Sequence, residues 1–409
     1  MKKTFFYILT LTALLTASCS SDHEIEQVID VTESKDPLAF TCQLDENEQV
    51  NTTRAGSIQY LTTGFMVSTY KAFAMPKQQL VMDKYNVEYK TSGTAWDGTI
   101  RPYWDYTGVS GQYERFWDYS NYPYRFNAIA PCPSSPASFV LNDKQLSIPA
   151  RFEMQSCENG MVTPADAEPY MVAQVQRETD GKVFDLMSTK SSHMEKEINN
   201  SLTTKNRYVA LPFHHLNSKI RFGVYGTSPW LTANPVCIEG LSINVSSNNF
   251  ATQATGYNAV GDSGEYSWYR GKGNSGFTNV SYATGSGLQL LKFDGGANVE
   301  GNDMSLHQGV SSVYWLQCQN GIKQIPQEEV SMTVSFTLRK ISDNSLVRSY
   351  HNVPIKLDDD TDKYNWQSGY LYTYYLIIGG IEDKLEITFT ATLAPWEDIS
   401  GSLSTDLEQ

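Results

Sequence analysis

What most limits the fold is a run of short alternating segments separated by turn residues. LAFTCQL at Leu38–Leu44 sets the pattern: Leu38, Phe40, Cys42 and Leu44 fall on one face, and Ala39, Thr41 and Gln43 on the other, as in a half-buried strand. TTGFMVSTYKAF, YRFNAIAP, RYVALPF, SKIRFGVYG, GLSINVSS, QLLKFD, VYWLQC, VSMTVSFTLRKI, GYLYTYYLIIG and KLEITFTATLAP continue the series. Gly, Asn, Asp, Ser and Pro punctuate the gaps. The 25 Tyr, 17 Phe and 8 Trp suit pleated surfaces better than helices. Only SSHMEKEINNSL at Ser191–Leu202 has the character of a short helix. Strand after strand predicts an all-β chain of packed sheets, and 409 residues suffice for two such domains. The polar stretch Ser188–Arg207 is the expected boundary between them.

The first residues indicate where the chain resides. Lys2 and Lys3 form a positive region, Phe5–Leu15 an apolar one, and Thr16-Ala17-Ser18 a small-residue cleavage region. A secretory signal peptide ending on a cysteine resembles a bacterial lipobox, in which Cys19 is acylated and becomes the first residue. Several acyl chains at about 0.8 kcal/mol per buried CH₂ make a firm anchor. Ordinary secretory cleavage, with Cys19 left as a thiol, is the alternative. Ser20, Ser21, Asp22, Glu24 and Glu26 then read as an acidic tether. Loss of Lys2 and Lys3 takes the net charge from −14 to −16, and no basic stripe offsets it, which argues against nucleic acid as a partner.

The other cysteines, Cys42, Cys132, Cys157, Cys237 and Cys318, are odd in number and contain no C-x-x-C pair, so no zinc site is expected. An oxidising compartment permits a Cys132–Cys157 bridge, although isolated small core residues fit the spacing better. GDSG at Gly261–Gly264 matches a serine-protease nucleophile segment, but His214 and His215 are neighbours on a strand and point to opposite faces. Ser263 therefore reads as part of a turn. GKGNSG at Gly271–Gly276 lacks a following helix to receive a phosphate. Asp358, Asp360 and Asp362 begin like a calcium loop, but Lys363 and Gly369 stand where Gly and Glu are needed. Neither a cofactor, nor a metal, nor an enzymatic activity is expected. Trp104, Tyr106, Trp117, Tyr119, Tyr122 and Tyr124 form a dense aromatic stretch with two readings. They could stack on sugars, making a monomeric glycan-binding surface lipoprotein, or they could fill a sandwich core.

Several blocks, in order, carry a resemblance: the lipobox at Cys19, the alternating strand Leu38–Leu44, and a polar linker ending NTTRAG. LPFHHLNSKIRFGVYG at Leu211–Gly226, NWQSGYLYTYYLIIGG at Asn365–Gly380 and LEITFTATLAPWEDISG at Leu385–Gly401 follow. The chain resembles the fimbrillins, lipoprotein precursors of type V pili, and their Mfa-like relatives. The resemblance implies two tandem β-sandwich domains of transthyretin-like, Greek-key type. It divides the chain into a lipoprotein signal peptide (1–18), a lipidated propeptide with a removable first strand (19–54), an N-terminal sandwich (55–205) and a C-terminal sandwich (206–409).

The resemblance also implies a mode of assembly. An arginine-specific protease cuts after Arg54, before Ala55, and the strand bearing Leu38, Phe40, Cys42 and Leu44 leaves. Its groove then takes a strand from another pilus subunit, a donor-strand exchange. In the segment WEDISGSLSTDLEQ, Ile399, Gly401, Leu403 and Leu407 share one face, with too few apolar residues to form a core alone. Ile399, Leu403 and Leu407 are the expected anchors of a donor strand; a last strand folded on its own domain, or a frayed tail, is the alternative. The expected setting is the cell outer membrane and the fimbria, in cell adhesion as stalk, tip or accessory subunit. Host or bacterial surface ligands are further expected partners.

Overall fold

The structure, a computed structural model, describes residues 33–44, 64–71, 79–95, 98–100, 102–118, 123–142, 145–163, 170–178, 183–186, 208–246, 250–262, 265–266, 276–283, 288–299, 313–316, 318, 320–357, 364–381 and 384–395. The first half opens with β1 (Glu33–Pro37) and β2 (Ala39–Leu44). β3 (Phe65–Lys71), β4 (Gln79–Lys90), β5 (Tyr103–Asp105), β6 (Phe116–Asp118) and β7 (Tyr124–Ala130) follow. Five short strands come next: β8 (Val140–Leu141), β9 (Gln145–Ile148), β10 (Phe152–Glu153), β11 (Ser156–Glu158) and β12 (Met161–Thr163). β13 (Met171–Arg177), β14 (Val183–Asp185) and β15 (Tyr208–His215) complete it. Each segment singled out by alternation in this half contains a strand.

The first sheet runs β2-β15-β13-β7-β3-β4-β5, with β14 on β13, and β1 pairs separately with β6. The sheet folds over on itself. On a flat sheet the four steps from β2 to β3 would span about 19 Å at roughly 4.8 Å per step. Yet the rings of Phe40 on β2 and Phe65 on β3 lie 5.7 Å apart. Between the folded layers sits a core of Leu38, Phe40, Phe65, Val67, Trp104, Tyr106, Trp117, Phe126, Leu211 and Phe213, among others.

The second half begins with β16 (Ser218–Gly226), the short helix α1 (Pro229–Ala233) and β17 (Val236–Ser246). Pro229 opens α1 and the Ser228 hydroxyl caps it, accepting from the Trp230 N–H. β18 (Phe250–Ala254), β19 (Gly256–Asp262), β20 (Glu265–Tyr266), β21 (Phe277–Thr278), β22 (Ser281–Ala283), β23 (Leu288–Val299), β24 (Tyr314–Trp315) and β25 (Ile322–Gln324) follow. The last strands are β26 (Gln327–Lys340), β27 (Leu346–Pro354), β28 (Tyr364–Trp366), β29 (Tyr370–Ile381) and β30 (Lys384–Pro395). The sheet β12-β11-β23-β17-β26-β27 packs on the sheet β24-β16-β29-β30. Ile220, Phe222 and Val224 of β16 face Ile238, Leu241 and Ile243 of β17 across this second core. The architecture is all-β, as the alternation predicts.

The expected boundary differs in detail. β15 starts beyond residue 205 yet extends the first sheet, pairing with β2 and with Met171 and Val172 of β13. Conversely, β9, β10 and β11 pair with β19, β18 and β23 of the second half. This exchange builds a third core, where Met66, Ile129 and Val172 on the far face of the first sheet meet Leu146, Phe152, Ala251, Tyr257 and Phe277. β3, β7 and β13 are consequently covered on both faces and do not alternate in burial over most of their length. The disulfide also differs from the expected pairing. Cys157 on β11 bonds Cys318, with Cα atoms 6.5 Å apart, and so fastens the exchanged arm to the second half. Cys132, at the end of β7, instead donates its thiol to Asn86 Oδ1 at 3.0 Å.

Candidate functional site

The first strands hold the feature most open to functional use. β2 lies parallel to β15, with Ala39 opposite Tyr208, Phe40 opposite Val209, Cys42 opposite Leu211 and Leu44 opposite Phe213. β15 shares only two register pairs with β13, so β2 supplies most of its backbone pairing among the described residues. β1 runs the other way along β6, with Glu33 opposite Asp118 and Pro37 opposite Phe116. Residues 33–44 thus bridge the β6 ribbon and the β15 edge, closing the open side of the folded sheet.

Alternation puts Leu38 and Phe40 on the core side, and both are buried. Ala39, expected on the open face, is buried too, because the strand is covered on both sides at this point. The Phe40 ring meets Phe65 at 5.7 Å, Tyr106 at 6.1 Å and Phe126 at 6.1 Å, each edge to face. This is the favoured aromatic geometry.

A polar clasp grips the backbone beside that ring. The Leu38 N–H donates to the Arg115 carbonyl at 2.7 Å, and its carbonyl accepts from the Tyr106 hydroxyl at 2.8 Å. Burial pushes the Tyr106 hydroxyl far above the ordinary phenol range, so it remains a donor. The 106–115 loop that carries the clasp is held by β4. The Gln112 amide donates to the Asn86 and Tyr106 carbonyls, and the Arg115 guanidinium donates to the Tyr85 hydroxyl at 3.1 Å. These anchors do not involve residues 33–44.

The expected site residues are distributed unevenly. Leu38, Phe40, Cys42 and Leu44 come together on this segment. Cys19, Arg54, Ala55, Ile399, Leu403 and Leu407 lie outside the described residues, as do Ser263, Tyr119, Tyr122, Asp358, Asp360, Asp362 and the helix expected at Ser191–Leu202. Of the two readings of the aromatic stretch, core filling is the one found for its four described members. Trp104, Tyr106, Trp117 and Tyr124 are buried in the first core and present no open ring face. Sequence reasoning missed Phe65, Phe126, Tyr106 and Arg115 as the groove's walls and clasp. The signal for Tyr106 was its membership of that aromatic stretch, read there for ligands as well as for packing.

Two other polar groupings lie close by. His214 Nε2 and Asp185 Oδ2 are 2.9 Å apart and buried. Lys71 pairs at 2.5 Å with Asp118, the residue opposite Glu33 in the β1–β6 register. Among the described residues no group of three or more His, Cys, Asp or Glu is placed to hold a metal ion. Among them, too, no helix is long and apolar enough to cross a membrane.

No family model matches the sequence, and neither does any curated protein. Solved structures do. A fimbrial protein from Bacteroides vulgatus is similar over 88% of this chain and 99% of its own, with a TM-score of 0.51 at 14% identity. A provisionally described cell adhesion protein from Bacteroides eggerthii covers 90% of this chain and 97% of its own, at 12% identity and a TM-score of 0.38. The fimbrial anchor protein Mfa2 from Porphyromonas gingivalis covers 88% and 97%, at 8% identity and a TM-score of 0.24. The first likeness carries the fold: this chain has the fold of a fimbrial protein along nearly the whole length of that protein.

Proposed function

We propose that the chain is a non-enzymatic, surface-anchored pilus subunit of the fimbrillin type, assembled with other subunits by donor-strand exchange. Acylation at Cys19 holds the precursor at the outer membrane. Cleavage after Arg54 by an arginine-specific protease severs residues 33–44 from the body. The segment then leaves, and an extended strand from another subunit replaces it beside β15.

The observation that supports this best is the seating of β2. It is an edge strand, joined to the rest through the stretch bearing Arg54, yet its Phe40 fills an aromatic core. Loss of such a strand exposes a sheet edge over apolar rings, a template for pairing with another chain. The fold shared with a fimbrial protein supports the same reading. The test is to treat the purified precursor with an arginine-specific protease, alone and with candidate partner subunits, and to run unheated samples in SDS. The expected result is loss of the 19–54 fragment followed by SDS-resistant multimers with the right partner. A fragment that stays bound, or a cleaved body that assembles with nothing, would refute it.

A further inference from the structure

The groove and the expected donor segment of this same chain do not match. We infer that the site, once its own first strand has left, selects a strand with an aliphatic residue two positions from an aromatic one, supplied by a different protein, and that the segment Ile399–Leu407 of a second copy is not its occupant. The inference rests on the strand-exchange reading above.

Two parts of the site do different work. The clasp formed by Tyr106 and Arg115 addresses only the backbone of Leu38, so it gives affinity to any extended chain. Selection comes from the slot beside it. Phe65, Tyr106 and Phe126 each meet the Phe40 ring edge to face, a set of contacts fitted to a ring. Successive residues on one face of a strand stand about 6.6 Å apart. An occupant must therefore present two large apolar groups at that spacing, the second of them aromatic.

Ile399–Leu407 cannot do so. Its large residues, Ile399, Leu403 and Leu407, are four positions apart, with Gly401 and Thr405 between them on the same face. Setting Leu403 in the ring slot puts Gly401 or Thr405 in the Leu38 position, whichever way the strand runs. Trp396 offers a ring, but its same-face neighbours are Ala394, already paired with Leu371 in the β29–β30 ladder, and the charged Asp398. A groove that takes Leu38 and Phe40 but not Ile399–Leu407 fits a junction between unlike subunits better than a repeating stalk.

The test uses the full chain after cleavage at Arg54 and removal of the 19–54 fragment. Three fluorescent peptides serve as probes: residues 33–45, the same peptide with Phe40→Leu, and residues 396–409. Fluorescence anisotropy should show binding of the first and at least about tenfold weaker binding of the second, the scale of losing three ring contacts. The third should not bind at concentrations that saturate the first. In a Tyr106→Phe body, which keeps the ring and loses the hydroxyl half of the clasp, the first two peptides should weaken by the same factor. Equal binding of the first two peptides would overturn the selection for a ring, and saturable binding of the third would make a second copy of this chain the occupant. If even the first fails to rebind, the exchange reading falls, and this inference with it.

Discussion

Replacing Phe40 with alanine in the uncut chain should be among the most destabilising single changes in the first domain. The ring is 2% exposed and touches three other rings. Deleting a buried phenylalanine side chain costs about 3–5 kcal/mol, and the lower end applies where an edge strand can shift into the space. Because β2 supplies most of the pairing of β15, the loss should be felt by β15 as well. The domain's urea midpoint should fall by an amount equivalent to about 3 kcal/mol in the soluble Cys19→Ala background. Once Arg54 is cut, the same 3 kcal/mol predicts release of the 19–54 fragment roughly a hundredfold faster than from the unchanged chain. Ile100→Ala, at a residue 83% exposed, is the matched control and should shift neither quantity. A loss below about 1 kcal/mol, with an unchanged release rate, would mean that the groove does not depend on this ring.

Other measurements probe separate parts of the account. Cys19→Ala should move the protein from the membrane fraction to the soluble one, and retention would argue against a lipid anchor. Reducing the Cys157–Cys318 bridge, which closes a separation of 161 residues, should cost about 2–5 kcal/mol; an unchanged urea midpoint in reductant would refute its role as a fastener. Burial raises the hydroxyls of Tyr106, Tyr257 and Tyr374 far above the ordinary value of 10.0 and pushes Tyr225 and Tyr372 up to about 12. The folded state thus keeps protons that the unfolded chain gives up near pH 10. Stability from these groups is full below pH 10 and falls as pH rises toward 12 and beyond, so thermal unfolding should be flat to about pH 9.5 and then decline. A flat profile to pH 12 would contradict the burial of these hydroxyls.

The strand series was legible because alternation is local. A strand that buries one face writes that fact every second residue, and Leu38 and Phe40 do so. β3, β7 and β13 were legible as strands but not as doubly covered ones. Ser68, Asn127 and Gln174 are polar, a residue type usual on open faces, yet they are buried. What covers that face comes from elsewhere in the chain, including Leu141, whose carbonyl accepts from the Tyr70 hydroxyl, and Asn142, whose carbonyl accepts from the Asn127 amide. The Cys157–Cys318 pairing was illegible for the same reason, since it depends on the passage of β11 into the second half. In the site, the ring at Phe40 could be read from the sequence, whereas its partner β15 could not, because a parallel pairing between distant segments leaves no turn in the sequence.

The interleaving of the halves bears on how a subunit survives the loss of its first strand. Of the first segment, Leu38 and Phe40 belong to the first core, and among the described side chains neither the second core nor the third contains a residue of that segment. The third core holds β3, β7 and β13 from behind, through Met66, Ile129 and Val172, while the disulfide fastens β11 to the second half. With β1 and β2 gone, the central strands of the first sheet therefore stay pinned, and the damage is confined to the β15 edge and the exposed rings. The clasp loop stays pinned as well, through Gln112 and Tyr85. A groove that remains open rather than collapsing must be walled by elements with an independent hold, and here each wall has one. Hydrogen exchange on the cleaved body should therefore show protection lost at Tyr208–Phe213 and retained at Tyr124–Ala130 and Met171–Arg177. Loss of protection across β7 and β13 would mean that the first domain melts when its strand leaves, and that no preformed groove awaits a partner.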